Sequence, residues 1–279
     1  MSGKKPTTLM VVALWSGNRR IFSNVSEDIK YIDRRPSCVG PIFSRDEILK
    51  RRVKVLMEVD HGEPMDTIFV NPRNDENPCY KEYLDYLNSL NGQKTKNGNI
   101  IVEHRENTGI SFGSMNYAWQ KYKDDYDYFY FTEDDYVNIS EGFVGAGVNI
   151  LKNNPEFGMV ATLQRTERKY PKGNSAIYSN KALKLTFGNG NIPHVTEPHL
   201  QHSMRRHTDQ ERRCGLRVRN AGYDISNLPE GFDVIEKIGY NDNSTDDRSE
   251  KAKKAGWGWS AYVRQQWKVD WGKYKRFDM

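Results

Sequence analysis

The stretch YFYFTEDDYV, residues 128–137, decides the reading of this chain. Four aromatic residues, Tyr128 to Phe131, run without the alternation of a half-exposed strand. Continuous apolar character over so short a length suits a strand buried on both faces, as in a parallel sheet covered by helices. Three carboxylates follow without a break, Glu133, Asp134 and Asp135. Crowded carboxylates repel one another, and burying them costs several kcal/mol unless a positive charge arrives. In open α/β sheets, ligands bind beyond the carboxyl ends of the strands. An acidic run at such an end is poised to hold a hard cation, Mg²⁺ or Mn²⁺, with substrate phosphates completing the coordination. Taken alone, the same triplet also reads as an acidic surface turn.

Working backward, LMVVALW (Leu9–Trp15) reads as a first strand that stops at the turn-like Ser16-Gly17-Asn18-Arg19-Arg20. Residues 45–59 read as a helix with Ser44 as its cap, and Thr67–Val70 as a second strand that breaks at Asn71-Pro72. A helix near Tyr80–Leu90, a strand at Ile100–Glu103 and a helix through Met115–Tyr122 complete the run to Tyr128. The order β-α-β-α-β-α-β predicts a mostly parallel α/β sheet flanked by helices. Beyond it, Gly142–Lys152 reads as a helix and Met159–Leu163 and Ser175–Tyr178 as strands. Asp209–Ala221 reads as a helix closed by Gly222.

The loop ENTGISFGSMNYAW, residues 106–119, carries glycines that let a backbone approach a ligand and leads into a helix whose first amides attract anions. It is neither a P-loop nor G-x-G-x-x-G. On the run QERRCGLRVRNAGYDI, residues 210–225, Glu211 lies in the first turn of the predicted helix. The dipole there favours an ionised carboxylate, and such a group can serve as a general base. Simple dipole complementarity on a surface helix explains it equally well.

Composition excludes several classes. The 279 residues suffice for one large domain with a real core, and an aromatic content of 12% is too rich for a disordered chain. No apolar run approaches a membrane span, and Leu9–Trp15 is too short for a signal-peptide core. Three widely spaced cysteines, Cys38, Cys79 and Cys214, suggest neither a disulfide framework nor a zinc ribbon, so a cytoplasmic setting is the simplest. The net charge of +5 permits an anionic ligand without demanding nucleic acid. Basic pairs such as Arg51-Arg52 read for the most part as solvated surface. His194, His199, His202 and His207 fit no common zinc spacing.

In motif order, residues 8–230 resemble a glycosyltransferase of the GT-A fold, in the large nucleotide-sugar family that builds polysaccharides and glycoconjugates. The family's N-x-G-x-x-x-G-x-x-N loop is similar to Asn107, Gly109, Gly113 and Asn116. Many members carry an Arg just before that last Asn, where this chain has Met115, and Arg105 is the substitute contact. The metal-binding D-x-D motif corresponds to Glu133-Asp134-Asp135, in an E-D-D form like that of some inverting N-acetylglucosaminyltransferases. The resemblance implies that Asp135 ligates Mn²⁺ or Mg²⁺, with Glu133 beside it and Asp134 facing the ribose or sugar. Ala13, Leu14 and Trp15 then border the nucleotide base, and Asp75 is the candidate acidic contact at the second strand end. Gly173 and Asn174 match the glycine-led strand beside the donor sugar. Glu211, with Asp209 as backup, falls where the family carries its catalytic base, and one of the four histidines is a candidate further metal ligand. Trp257 and Trp259 are candidate sugar-stacking residues, although core packing suits tryptophan as well.

The expectation is therefore a GT-A, Rossmann-like domain over residues 1–235, with a nucleotide-sugar half (1–135), an acceptor half (136–235) and an aromatic, charged extension (236–279). The implied activity is metal-dependent, inverting transfer of a hexosyl or pentosyl group from a UDP- or GDP-sugar to a glycan, glycoprotein or glycolipid hydroxyl. A lipid-linked acceptor would bring the protein to a membrane periphery. Two rivals stand beside it. A sugar nucleotidyltransferase would also use an α/β sheet and carboxylate-held Mg²⁺, with Ser16–Arg20 only a faint echo of its Gly-rich basic loop. A non-catalytic carbohydrate- or nucleic-acid-binding module would account for the tryptophans and the positive charge.

Overall fold

The computed structural model describes residues 6–14, 45–73, 80–134, 136–138, 140–162, 173–188, 190–192, 213–229, 232 and 234–236. In chain order the elements are β1 (Thr8–Ala13), α1 (Arg45–Glu58), β2 (Met65–Pro72), α2 (Tyr80–Ser89), β3 (Ile100–Arg105), α3 (Ile110–Tyr122), β4 (Tyr128–Glu133) and β5 (Tyr136–Asn138). They continue with α4 (Phe143–Asn153), β6 (Phe157–Ala161), β7 (Ala176–Ser179), α5 (Asn180–Phe187), a helical segment α6 (213–220), β8 (Asp224–Asn227) and β9 (Val234–Glu236).

Among the described residues seven strands form one sheet in the order β3-β2-β1-β4-β7-β6-β8, and β5 pairs with β9 in a separate ribbon. Strands β1 to β4 run parallel, and β7 alone runs against its neighbours β4 and β6. The result is a Rossmann-like, mostly parallel sheet flanked by helices, as the βα alternation predicts. β1 and β2 are buried along their whole length; β1 reads as an apolar run, while β2 also buries the polar Asp66, Thr67 and Asn71.

The chain reverses direction at β1. It steps from β1 outward to β2 and β3, then returns across the sheet to β4 on the far side of β1. Right-handed crossovers in opposite directions must use opposite faces. Accordingly α1, α2 and α4 pack with Met10, Val12, Phe69 and Tyr130 on one face. α3, α5 and α6 pack with Val11, Ile68, Phe129 and Tyr178 on the other. The reversal leaves a crevice between the carboxyl ends of β1 and β4, the place where ligands bind in sheets of this kind.

Local departures from the sequence reading have simple causes. Asn71 and Pro72, read as a turn, extend β2, because Asn71 pairs with His104 and Pro72 with Arg105. The short strands β5, β8 and β9 lack the long apolar runs that mark the central ones. Gly222 closes α6 as anticipated, at φ 90, with the amide of Tyr223 returning to the oxygen of Val218. Among the described residues no helix is long and apolar enough to cross a membrane.

Candidate functional site at the β1 and β4 carboxyl ends

The register sets Ala13 of β1 beside Glu133 of β4. One residue further on, the amide of Asp134 donates to the oxygen of Ala13 at 3.1 Å, and the amide of Leu14 donates to the oxygen of Val70 at 3.1 Å. The acidic run therefore leaves the sheet at the topological crevice, and Asp134 is only 7% exposed. Ala13, Leu14, Glu133 and Asp134, singled out separately in the sequence, meet at one rim.

Gly173 and Asn174 reach the same rim because β7 is antiparallel. It begins where β4 ends, with Ala176 opposite Phe131. The ladder stops at that pair, and Gly173, Asn174 and Ser175 form the turn that leads into β7. The turn into β7 is fixed from the neighbouring strand, where the Thr162 hydroxyl donates to the oxygen of Ser175 at 2.6 Å. Gly173 admits no side chain, since a Cβ there would lie 2.3 Å from Cys214 Cβ. The Tyr178 hydroxyl seals this contact, donating to the oxygen of Gly173 at 2.9 Å and lying 3.3 Å from Cys214 Sγ. Burial pushes the Cys214 thiol up, so it is a neutral packing group.

The β3–α3 loop lies on the same side of the sheet, two strands away. Gly109 adopts the left-handed conformation (φ 75), and so does Ile110 (φ 53), an uncommon state for a β-branched residue. Gly113 presses on the turn, for a Cβ there would lie 2.1 Å from the oxygen of Thr108. Arg105 is buried under this loop, donating to Ser114 Oγ and to the main-chain oxygens of Glu106, Thr108 and Ile110. Desolvation lowers its pKa to about 10, so it stays charged at neutral pH. Asn116 faces the chain after α5, accepting from the amide of Ile192 at 2.8 Å.

Sequence reasoning overlooked Arg52. Far from being solvated, it is 3% exposed and donates to the main-chain oxygen of Glu133 at 3.0 Å. The signal was present: Leu49, Arg52, Val53 and Leu56 recur at the spacing of one helix face. Asn138 on β5 was also missed; it donates to the Tyr130 hydroxyl at 2.6 Å.

Glu133 and Asp134 are hard oxygen donors that fit Mg²⁺ or Mn²⁺. Among the described residues no group of three or more His, Cys, Asp or Glu side chains converges as a metal cage. Trp15, Asp75, Asp135, Asp209, Glu211, Trp257, Trp259 and the four histidines lie outside the described residues.

No known family's sequence profile matches the chain, and no curated protein matches it by sequence. Solved structures match by fold. A chain assigned as a glucose-1-phosphate thymidylyltransferase from Bacillus anthracis, in complex with a sucrose, is 10% identical. The match covers 82% of this chain and 89% of that one, with a TM-score of 0.41. A cytidylyltransferase from Leptospira borgpetersenii serovar Hardjo-bovis is 11% identical over 97% of this chain and 93% of its own, with a TM-score of 0.46. The two are a thymidylyltransferase and a cytidylyltransferase by name, and neither is named a glycosyltransferase. At this distance the likeness decides nothing about the reaction.

Proposed function

We propose that this chain is a nucleotide-sugar-dependent transferase, and specifically that it moves a sugar from a nucleotide diphosphate donor to an acceptor hydroxyl. The observation that supports the reading is the convergence of Ala13, Leu14, Glu133 and Asp134 at the β1/β4 crevice. Hydrophobic strand-end residues there can border a base, while carboxylates one strand away face the diphosphate.

Glu133 and Asp134, with Asp135, would hold a divalent cation. When bound, that cation would offset the negative charge developing on the diphosphate leaving group. Gly173 and Asn174 supply the wall on the sugar side, where the absence of a side chain at Gly173 keeps the rim and α6 in contact. Glu211 is the proposed base that takes the acceptor proton as its oxygen attacks the anomeric carbon. Support for that role comes from Cys214, three residues later, which packs on Gly173 at the same rim. A single displacement of this kind inverts the anomeric centre.

The test is a panel of UDP- and GDP-sugars with Mn²⁺ or Mg²⁺, read by product identity. Release of a nucleoside diphosphate supports sugar transfer. Release of pyrophosphate from a nucleoside triphosphate and a sugar 1-phosphate establishes the nucleotidyltransferase instead. Metal-independent glycan binding without turnover of either kind would leave a binding module.

A further inference from the structure

We propose that Arg105 is a positioning residue of the donor site: it shapes the 106–111 turn from beneath and does not itself touch the donor. The role rests on the function proposed above.

The guanidinium has five N–H donors. Nε donates to Ser114 Oγ at 3.0 Å, Nη1 to the oxygens of Glu106 and Thr108 at 2.6 and 2.5 Å, and Nη2 to the oxygen of Ile110 at 2.8 Å. The carbonyls of three alternate residues are thus drawn to one buried cation. In a trans peptide the carbonyl of one residue and the amide of the next point in opposite directions. The inward carbonyl at Glu106 therefore directs the amide of the exposed Asn107 away from Arg105. That is the edge a nucleotide's oxygens would meet.

The turn does not take this shape by default. Ile110 sits at φ 53, which its branched Cβ disfavours, and Gly113 allows the first turn of α3 to press on Thr108. A planar fork meets these acceptors at once, and a lysine ammonium on a flexible stem cannot. The side chain that the sequence suggested as a phosphate contact is thereby committed to the protein's own backbone.

The experiment compares wild type with Arg105→Lys and Arg105→Gln. Amide exchange of residues 106–111 is followed by mass spectrometry without ligand. Binding of UDP- and GDP-sugars with Mn²⁺ is followed by calorimetry, and turnover at saturating donor is measured alongside. The expected result for R105K is exchange about ten-fold faster in this segment, donor affinity about ten-fold weaker, and kcat within about two-fold of wild type. Unchanged exchange with weakened binding would make Arg105 a direct donor contact and overturn the role. R105K that exchanges and binds like wild type overturns it as well. A wild-type chain that binds no member of the panel overturns the proposed function and this role together. Should R105Q fail to fold, R105K, which keeps the charge, carries the comparison.

Discussion

Arg52 Nη1 donates to the main-chain oxygen of Glu133 at 3.0 Å, joining the middle of α1 to the last residue of β4. A guanidinium in an apolar layer is costly unless its protons are satisfied and negative charge lies near. Here the strand end that it grips opens the acidic run. Replacing Arg52 by Ala removes that donor and leaves a cavity under α1. We expect a loss of about 2–4 kcal/mol, measured by urea denaturation, with Arg52→Lys recovering part of it. A loss below about 0.5 kcal/mol, the range of an exposed surface change, would show that Arg52 behaves as solvated surface after all.

Gly173 tests the link between the rim and α6. A methyl group there meets Cys214 Cβ at 2.3 Å and Sγ at 2.9 Å, inside a contact closed by Tyr178. Gly173→Ala should therefore cost about 1–3 kcal/mol through overpacking and displace α6 from the rim. Sugar transfer should fall more than donor binding, because the displaced helix follows the segment that holds Glu211. Equal loss of both would place Gly173 on the donor side alone.

His61 predicts an acid-sensitive fold. It is 1% exposed, and neither ring nitrogen has a hydrogen-bond partner among the described residues. Burial first, and then the nearby Arg52 charge, lowers its pKa to about 4, with Asp60 pulling weakly the other way. The folded state thus keeps the imidazole neutral where the unfolded chain, with an ordinary pKa near 6.5, binds a proton. This contribution is complete above about pH 6.5 and is lost as pH falls toward about 4. Between pH 7.5 and 4.5 the wild type should lose on the order of 2–3 kcal/mol more than His61→Phe. Parallel pH profiles for the two proteins would show that His61 does not titrate in this way.

Glu211→Gln removes the proposed proton acceptor and little else. The variant should bind donor by calorimetry with unchanged affinity and lose transfer by at least about 100-fold. Full transfer would move the base to another residue, with Asp209 next to be changed.

The fold was legible where burial wrote itself into composition. The aromatic run Tyr128–Phe131 reads as a strand covered on both faces and Leu9–Trp15 as a first strand, and the two strands are neighbours in the sheet. The acidic run after one of them marked the rim for the same reason. Arg52 was less legible because a buried arginine and a surface arginine look alike unless the helix face is traced through Leu49, Val53 and Leu56. Asn71-Pro72 misled because turn-forming residues also end edge-proximal strands, where the ladder to β3 holds them. Arg105 reads from the sequence as a substitute donor contact, and only the structure shows its protons spent on Glu106, Thr108 and Ile110.

Metal-dependent sugar transfer at the β1/β4 crevice is tested most directly by one comparison: nucleoside diphosphate release, with and without Mn²⁺, for wild type and Asp135→Ala. The account predicts turnover of at least one UDP- or GDP-sugar that needs the metal and is abolished in the variant while the fold, by circular dichroism and thermal melting, is retained. Metal-dependent turnover at the wild-type rate in folded Asp135→Ala would contradict it.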